Sequence, residues 1–216
     1  MRVVVVGGGI AGLLAARVLS EAHDVVVLER DELSDEVEYR AGVPQGRHVH
    51  GLLVRGGELL EGLFPGLRDE LVAAGAVLAD AGDMRILNPL GWLARTRTGL
   101  PLLSLSRPLL ETAIRRRVTA EIVDGVHVTG LSLRDGTVDG VLTRDHGKIG
   151  ADLVVDASGR SSKLANWLAE AGSRRRSPRS STRAPGTPRG STPRRRTSPW
   201  CTRKACPRRT CRGGAR

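Results

Sequence analysis

Cysteine is absent from residues 1–172, and the three that the 216-residue chain contains, Cys201, Cys206 and Cys211, all fall in its last stretch. Their C-x4-C-x4-C spacing is neither the paired C-x2-C of a zinc site nor an even disulfide set, so neither role is assigned. Without a cysteine, the earlier part says nothing about redox compartment. Long apolar runs are also missing. The longest uncharged, mostly apolar stretch, residues 3–16, is broken by glycines and falls short of the ~20 residues a membrane helix needs. The N-terminus opens on a strand-like run with no basic region, apolar stretch and cleavage site, which argues against export and for a cytoplasmic protein. Residues 173–216 lack Val, Ile, Leu, Met, Phe, Tyr and every acidic residue. Ordering a residue costs ~1–2 kcal/mol and burying one Leu or Val returns ~1.5–3 kcal/mol, so a segment whose only sizeable apolar group is Trp200 is expected to be disordered.

That segment holds fifteen of the thirty-four Lys and Arg, so the net charge of +11 belongs to it, whereas residues 1–172 are mildly acidic. Clustered arginines suit nucleic-acid phosphates. Arg, Pro, Ala, Gly, Ser and Thr are also what GC-rich DNA yields when translated out of register, and the change in composition is abrupt. The shifted frame is the preferred reading, ahead of a neutral tail or a nucleic-acid arm. The expected organisation is a folded domain over 1–172, with an inserted sheet at about 76–105, and a basic tail over 173–216.

The most informative stretch is Val3 to Gly12. Val3–Val6 is a β-branched run short enough for a buried parallel strand, Gly7, Gly9 and Gly12 fit G-x-G-x-x-G, and Ile10–Leu19 reads as a helix. Gly7 suits the sharp turn, Gly9 leaves room for a pyrophosphate, and Gly12 allows close packing of helix and strand. The helix N-terminus supplies N–H groups and positive potential to an anion. A second run, Val25–Leu28, ends in Glu29, where a carboxylate can accept from a ribose hydroxyl and would repel a 2′-phosphate. A strand, turn and helix without ligand is the plainer alternative. The register of both strands, the helix and Glu29 favours a dinucleotide.

Arg30–Arg47 reads as a loop, and about His48–Leu63 as a helix ended by Pro65-Gly66. Gln45, Arg47, His48 and His50 sit at its entrance, where solvated polar residues are the simpler reading, and the His pair is poor grounds for a metal. A helix over Leu67–Ala74 leads to strands at 76–79, 84–87, 91–97 and 102–105, an antiparallel sheet that could floor a substrate pocket. Trp92 is read as core packing in preference to pocket lining. Pro108 opens a helix running to Val118, with Arg115–Arg117 as a solvated face. A β-meander follows from Ile122 to Ile149, turning at Asp135-Gly136 and His146-Gly147. A buried strand at 151–156 returns to the central sheet and enters a helix at about 162–171. The expected fold class is α/β, a Rossmann-like dinucleotide-binding fold with an inserted antiparallel sheet, followed by the disordered tail.

The motifs GGGIAGLLAA (7–16), VVVLERD (25–31), SRPLLETAIRRRV (106–118) and ADLVVDASGRSS (151–162), in this order, resemble the N-terminal portion of the class A flavin-dependent monooxygenases. AGVPQGRHVHGLL (41–53) and LFPGL (63–67) most resemble the flavin epoxidases of polyether biosynthesis. The resemblance covers about 1–172. It implies FAD with its diphosphate at Gly7, Gly8, Gly9, Ile10, Ala11 and Gly12, its ribose at Glu29 beside Arg30, and Arg107 holding the cofactor. Gln45 and Arg47 would border the flavin. Asp156 and Gly159 match an Asp-Ala-x-Gly variant of the family's Asp-Gly motif, which leaves an NAD(P)H contact there in question. The resemblance further implies NAD(P)H as reductant, O2 as co-substrate, a small alkene or aromatic substrate, and no named acid or base. Family members continue past this point with a second Gly-Asp motif and further substrate-domain strands, so the chain as written is expected to be an incomplete, inactive version. A NAD(P)-linked reductase on the same fold is the alternative.

Overall fold

The computed structural model describes residues 1–48 and 50–172. The disorder, shifted frame and basic arm expected of 173–216 lie outside the described residues. The path begins β1 (Arg2–Val6), α1 (Ile10–Leu19), β2 (Asp24–Leu28), a 3-10 turn at Pro44–Arg47, β3 (His50–Leu52), α2 (Val54–Leu63) and α3 (Leu67–Ala73). It continues through β4 (Val77–Asp80), β5 (Leu87–Asn88), β6 (Gly91–Trp92), β7 (Pro101–Leu105) and α4 (Arg107–Arg117). Then follow β8 (Glu121–Val123), β9 (Val128–Arg134), β10 (Thr137–Thr143), β11 (Lys148–Gly150), β12 (Leu153–Asp156) and α5 (Leu164–Glu170).

The central sheet runs β12-β1-β2-β8 with every pairing parallel. Its apolar runs are continuous because both faces are covered. Val3, Val5, Val25 and Val27 pack with Ala16 of α1, while Val4, Val6, Val26 and Leu28 meet Val126, Leu131, Val141 and Trp167. None of these eight strand residues is more than 6% exposed, and each such side chain contributes ~1.5–3 kcal/mol. The return of the 151–156 run to the sheet is realised as β12 alongside β1, in register Val3 to Leu153 through Val6 to Asp156. Chain order reverses at β1, which places a crevice outside the carboxyl ends of β1 and β12.

Three antiparallel pieces surround this sheet. β9, β10 and β11 form the meander, which supplies the second cover. β3-β7-β4 is the inserted sheet, and β5-β6 a separate two-stranded piece. A third cluster, with Leu13, Leu60, Phe64, Leu67, Leu71, Leu103 and Ile114 at its centre, joins α1 to the helices and β7. Ser106 caps α4, its hydroxyl accepting from the Leu109 N–H at 3.3 Å, with Pro108 in the first turn. Among the described residues no helix is long and apolar enough to cross a membrane.

Several local expectations need correction. The helix expected from His48 starts only at Val54, because residues 50–52 pair with β7 as a strand. The insert therefore gains β3, while the run expected as a strand over 91–97 is reduced to Gly91–Trp92. Trp92 is 61% exposed, with Arg85 over its ring, and is not core. The start of the meander splits in two, since residues 121–123 join the parallel sheet beside β2. Arg115–Arg117 is more than a solvated face. Arg115 and Arg116 donate to the Ser34 and Asp35 carbonyls, and Arg117 donates to Glu70 at 2.7 Å and the Pro65 carbonyl at 2.8 Å.

Candidate dinucleotide site

The glycine turn sits where β1 ends and α1 begins, and its three motif glycines meet different constraints. Gly7 has φ of +105°, and a Cβ there would lie 2.7 Å from the Ala157 carbonyl oxygen. A Cβ on Gly12 would collide with the Gly7 carbonyl oxygen, so the helix sits as close to the turn as backbone permits. Gly9 is different: the space beside it is open, with Arg40 Nη2 the nearest atom at 3.9 Å. It is also the N-cap of α1, and no side chain caps the helix. The first N–H groups of a helix have no partner within it, so this end can take an anion.

Glu29 closes the end of β2 and is 4% exposed. Its Oε2 accepts the Gly8 N–H at 2.6 Å, and its Oε1 accepts the Asp31 N–H at 3.0 Å. Arg40 lies against it, Nη1 standing 3.2 Å from Glu29 Oε2 and 2.9 Å from Asp31 Oδ2. The same guanidinium reaches Glu111 of α4 at 2.7 Å. Burial disfavours the charged guanidinium, but the charges of Glu111 and Glu29 and the hydrogen bonds to Glu111 and Asp31 outweigh it. Arg40 is thereby held above its ordinary value. Arg107 Nε stands 3.5 Å from Glu111 Oε2, with neither atom hydrogen-bonded.

These groups wall a cleft of about 340 Å³, within the ~300–1,000 Å³ usual for small-molecule sites. Gly7, Gly9, Ile10 and Ala11 line it from the turn, Glu29 and Arg30 from the end of β2, and Gln45, Arg107 and Gly159 from the far walls. The donor set suits a diphosphate: a glycine without a side chain, an uncapped helix end, and the cations Arg30, Arg40, Arg107 and Lys163. Gly8 and Gly12 shape the turn from behind. Arg47 is not among the lining residues and lies over the Tyr39 ring at 5.1 Å. Asp156 is also outside the lining. Burial raises its carboxyl, but hydrogen bonds from Ser158 and Ser162 prevail and hold it below the usual range.

Arg40, His127, Ser161 and Lys163 line the cleft without having been singled out from the sequence. Arg40 sits in an irregular loop, and the partner that fixes it to α4 is 71 residues away, so spacing carries no sign of it. His127 and Lys163 flank β9 and α5 as isolated polar residues, again without a pattern.

Together the parallel sheet, the glycine turn and the cleft at the carboxyl ends of β1 and β12 form a Rossmann-like α/β arrangement. Residues 2–77 match the family model of the FAD dependent oxidoreductases. Protein Rv3254 of Mycobacterium tuberculosis (strain ATCC 25618 / H37Rv) is 42% identical, the match taking in 80% of this chain and 40% of that protein. Among solved structures, native FqzB superposes with a TM-score of 0.59 at 24% identity, over 79% of this chain and 38% of that one. A structure of 2-methyl-3-hydroxypyridine-5-carboxylic acid oxygenase gives a TM-score of 0.57 at 24% identity, over 77% and 42%. pqsL from Pseudomonas aeruginosa gives 0.62 at 18%, over 79% and 45%. At these identities the structures carry the fold alone, a Rossmann-like one. The chain spans about 40% of the length of the curated relative it matches.

Proposed function

We propose that residues 1–172 are the FAD-binding domain of a flavin monooxygenase lineage that draws on NAD(P)H and acts on a small alkene or aromatic substrate of secondary metabolism. The observation that carries this reading is the open Gly9 at an uncapped helix end facing a cleft lined by Glu29 and four cations. When bound, FAD would supply the redox and oxygen-transfer chemistry. This chain's part is to hold it. Backbone donors at Gly9–Gly12 take the diphosphate, with Arg107 facing it from α4. Glu29 accepts from the adenosine ribose, and Gln45 borders the inner end of the cleft. Epoxidation is the finer reading, supported by the 41–53 and 63–67 motifs. Because the chain spans less than half of its relatives, binding is the property to assay first.

The test is titration of the purified full chain with FAD and, separately, with NAD. The expected result is saturable FAD binding, displaced by ADP and not by riboflavin. Saturable NAD binding without FAD binding would overturn the proposal in favour of a NAD(P)-linked reductase.

A further inference from the structure

Between Glu29 and Val43 the chain forms no helix or strand, yet the Arg40 side chain in that loop is only 13% exposed and touches three carboxylates. Buried charges are costly to desolvate, and an apolar cluster of similar volume is often as stable. Stability alone is therefore a weak explanation for the arrangement. Its consequence for Glu29 is more specific. An ionised carboxylate offers about four lone-pair sites. The Gly8 N–H donates to Oε2, against which Arg40 Nη1 stands as an ion pair at 3.2 Å, and the Asp31 N–H takes one site on Oε1. One site on Oε1 is left, and Glu29 lines the cleft.

We propose that Arg40 is a positioning residue for sugar recognition: it holds Glu29 Oε2 against the glycine turn, so that Oε1 accepts from a single hydroxyl of a bound ribose. Arg40 is anchored for this from outside the cleft, where Glu111 on α4 meets its Nε and Nη2 at 2.7 Å each. The network thus joins α4, the loop, the end of β2 and the turn through one guanidinium. The fork geometry matters, since a lysine ammonium could not reach three carboxylates in fixed directions. The inference rests on the reading of the cleft as an adenosine-diphosphate site.

The experiment measures the affinity of the full chain for ADP and for 2′,3′-dideoxy-ADP by calorimetry, in wild type, Arg40→Gln, Arg40→Lys and Glu111→Gln. Wild type is expected to prefer ADP by roughly tenfold or more, as for a hydrogen bond to a charged acceptor. In Arg40→Gln the preference falls to about twofold or less, and Arg40→Lys recovers only part of it. Should the Arg40 variants fail to fold, Glu111→Gln, which weakens the anchor from outside the cleft, is expected to narrow the preference. If a folded variant binds both nucleotides more weakly but keeps the wild-type preference, Arg40 is structural support and the proposal is wrong. Equal wild-type affinity for the two nucleotides overturns the inference while leaving the adenosine-diphosphate site intact. No wild-type binding of ADP at all removes both.

Discussion

The parallel sheet and the 77–105 region are built from similar aliphatic residues and meet different surroundings. Every Val and Leu of β1 and β2 is covered, one face by α1 and the other by the meander. Around β5 and β6, Leu87, Leu90 and Trp92 are 63%, 98% and 61% exposed. The first region is held by burial on two faces. The second relies on one covered face, where Leu103 meets the helices, and on a polar clasp at Asp80. The difference teaches that the sheet at the head of the cleft is held from both faces, whereas the insert is held from one face and by polar contacts.

The largest effect expected is at the tightest point of the first region. Gly12→Val drives a side chain into the Gly7 carbonyl and should cost about 3 kcal/mol or more of stability, the upper end for overpacking, read as a fall in the urea midpoint. Val5→Ala, at a fully buried position, should cost about 2 kcal/mol. Leu90→Ser, by contrast, should change stability by less than about 0.5 kcal/mol. Similar losses from Val5 and Leu90 would break the comparison.

The smallest effect is local and depends on pH. Hydrogen bonds from the Thr98 side chain, and from the Gly82, Thr98 and Gly99 N–H groups, hold the Asp80 carboxyl well below the usual carboxylate range. Its folded-state value lies below its unfolded value of about 3.9. The clasp therefore contributes fully above that pH and loses its contribution as pH falls towards the folded value. Hydrogen exchange should show the Gly82, Thr98 and Gly99 amides losing protection on acidification before those of β1 and β2. Asp80→Asn should remove that dependence. Simultaneous loss across both regions would show that they do not differ in the way described.

The same contrast governs what could be read from the sequence. β1, α1 and β2 were legible almost to the residue, because a β-branched run, a glycine turn and a helical run each have their own signature and agree with one another. The return strand β12 and the Ser106-capped α4 were legible for similar reasons. β3 was not, since His50-Gly51-Leu52 has no period, and Leu52 and Leu53 pass for the start of the helical face that follows. β5 and β6 are two residues each, too short for any pattern. Within the site, the glycines and Glu29 announce themselves locally. Arg40 does not, because its role exists only when Glu29, Asp31 and Glu111 are brought together by the fold.

The central claim is that the glycine bend takes the diphosphate of FAD, and Gly9→Leu tests it most directly. Gly9 has φ of −74° and open space beside it, so the empty protein should tolerate the side chain, with a stability change below about 1 kcal/mol. The same side chain would occupy the path of the phosphates. FAD affinity is predicted to fall at least ~100-fold, about 2.7 kcal/mol, while the fold stays intact. Wild-type FAD affinity in a folded Gly9→Leu chain would contradict the account.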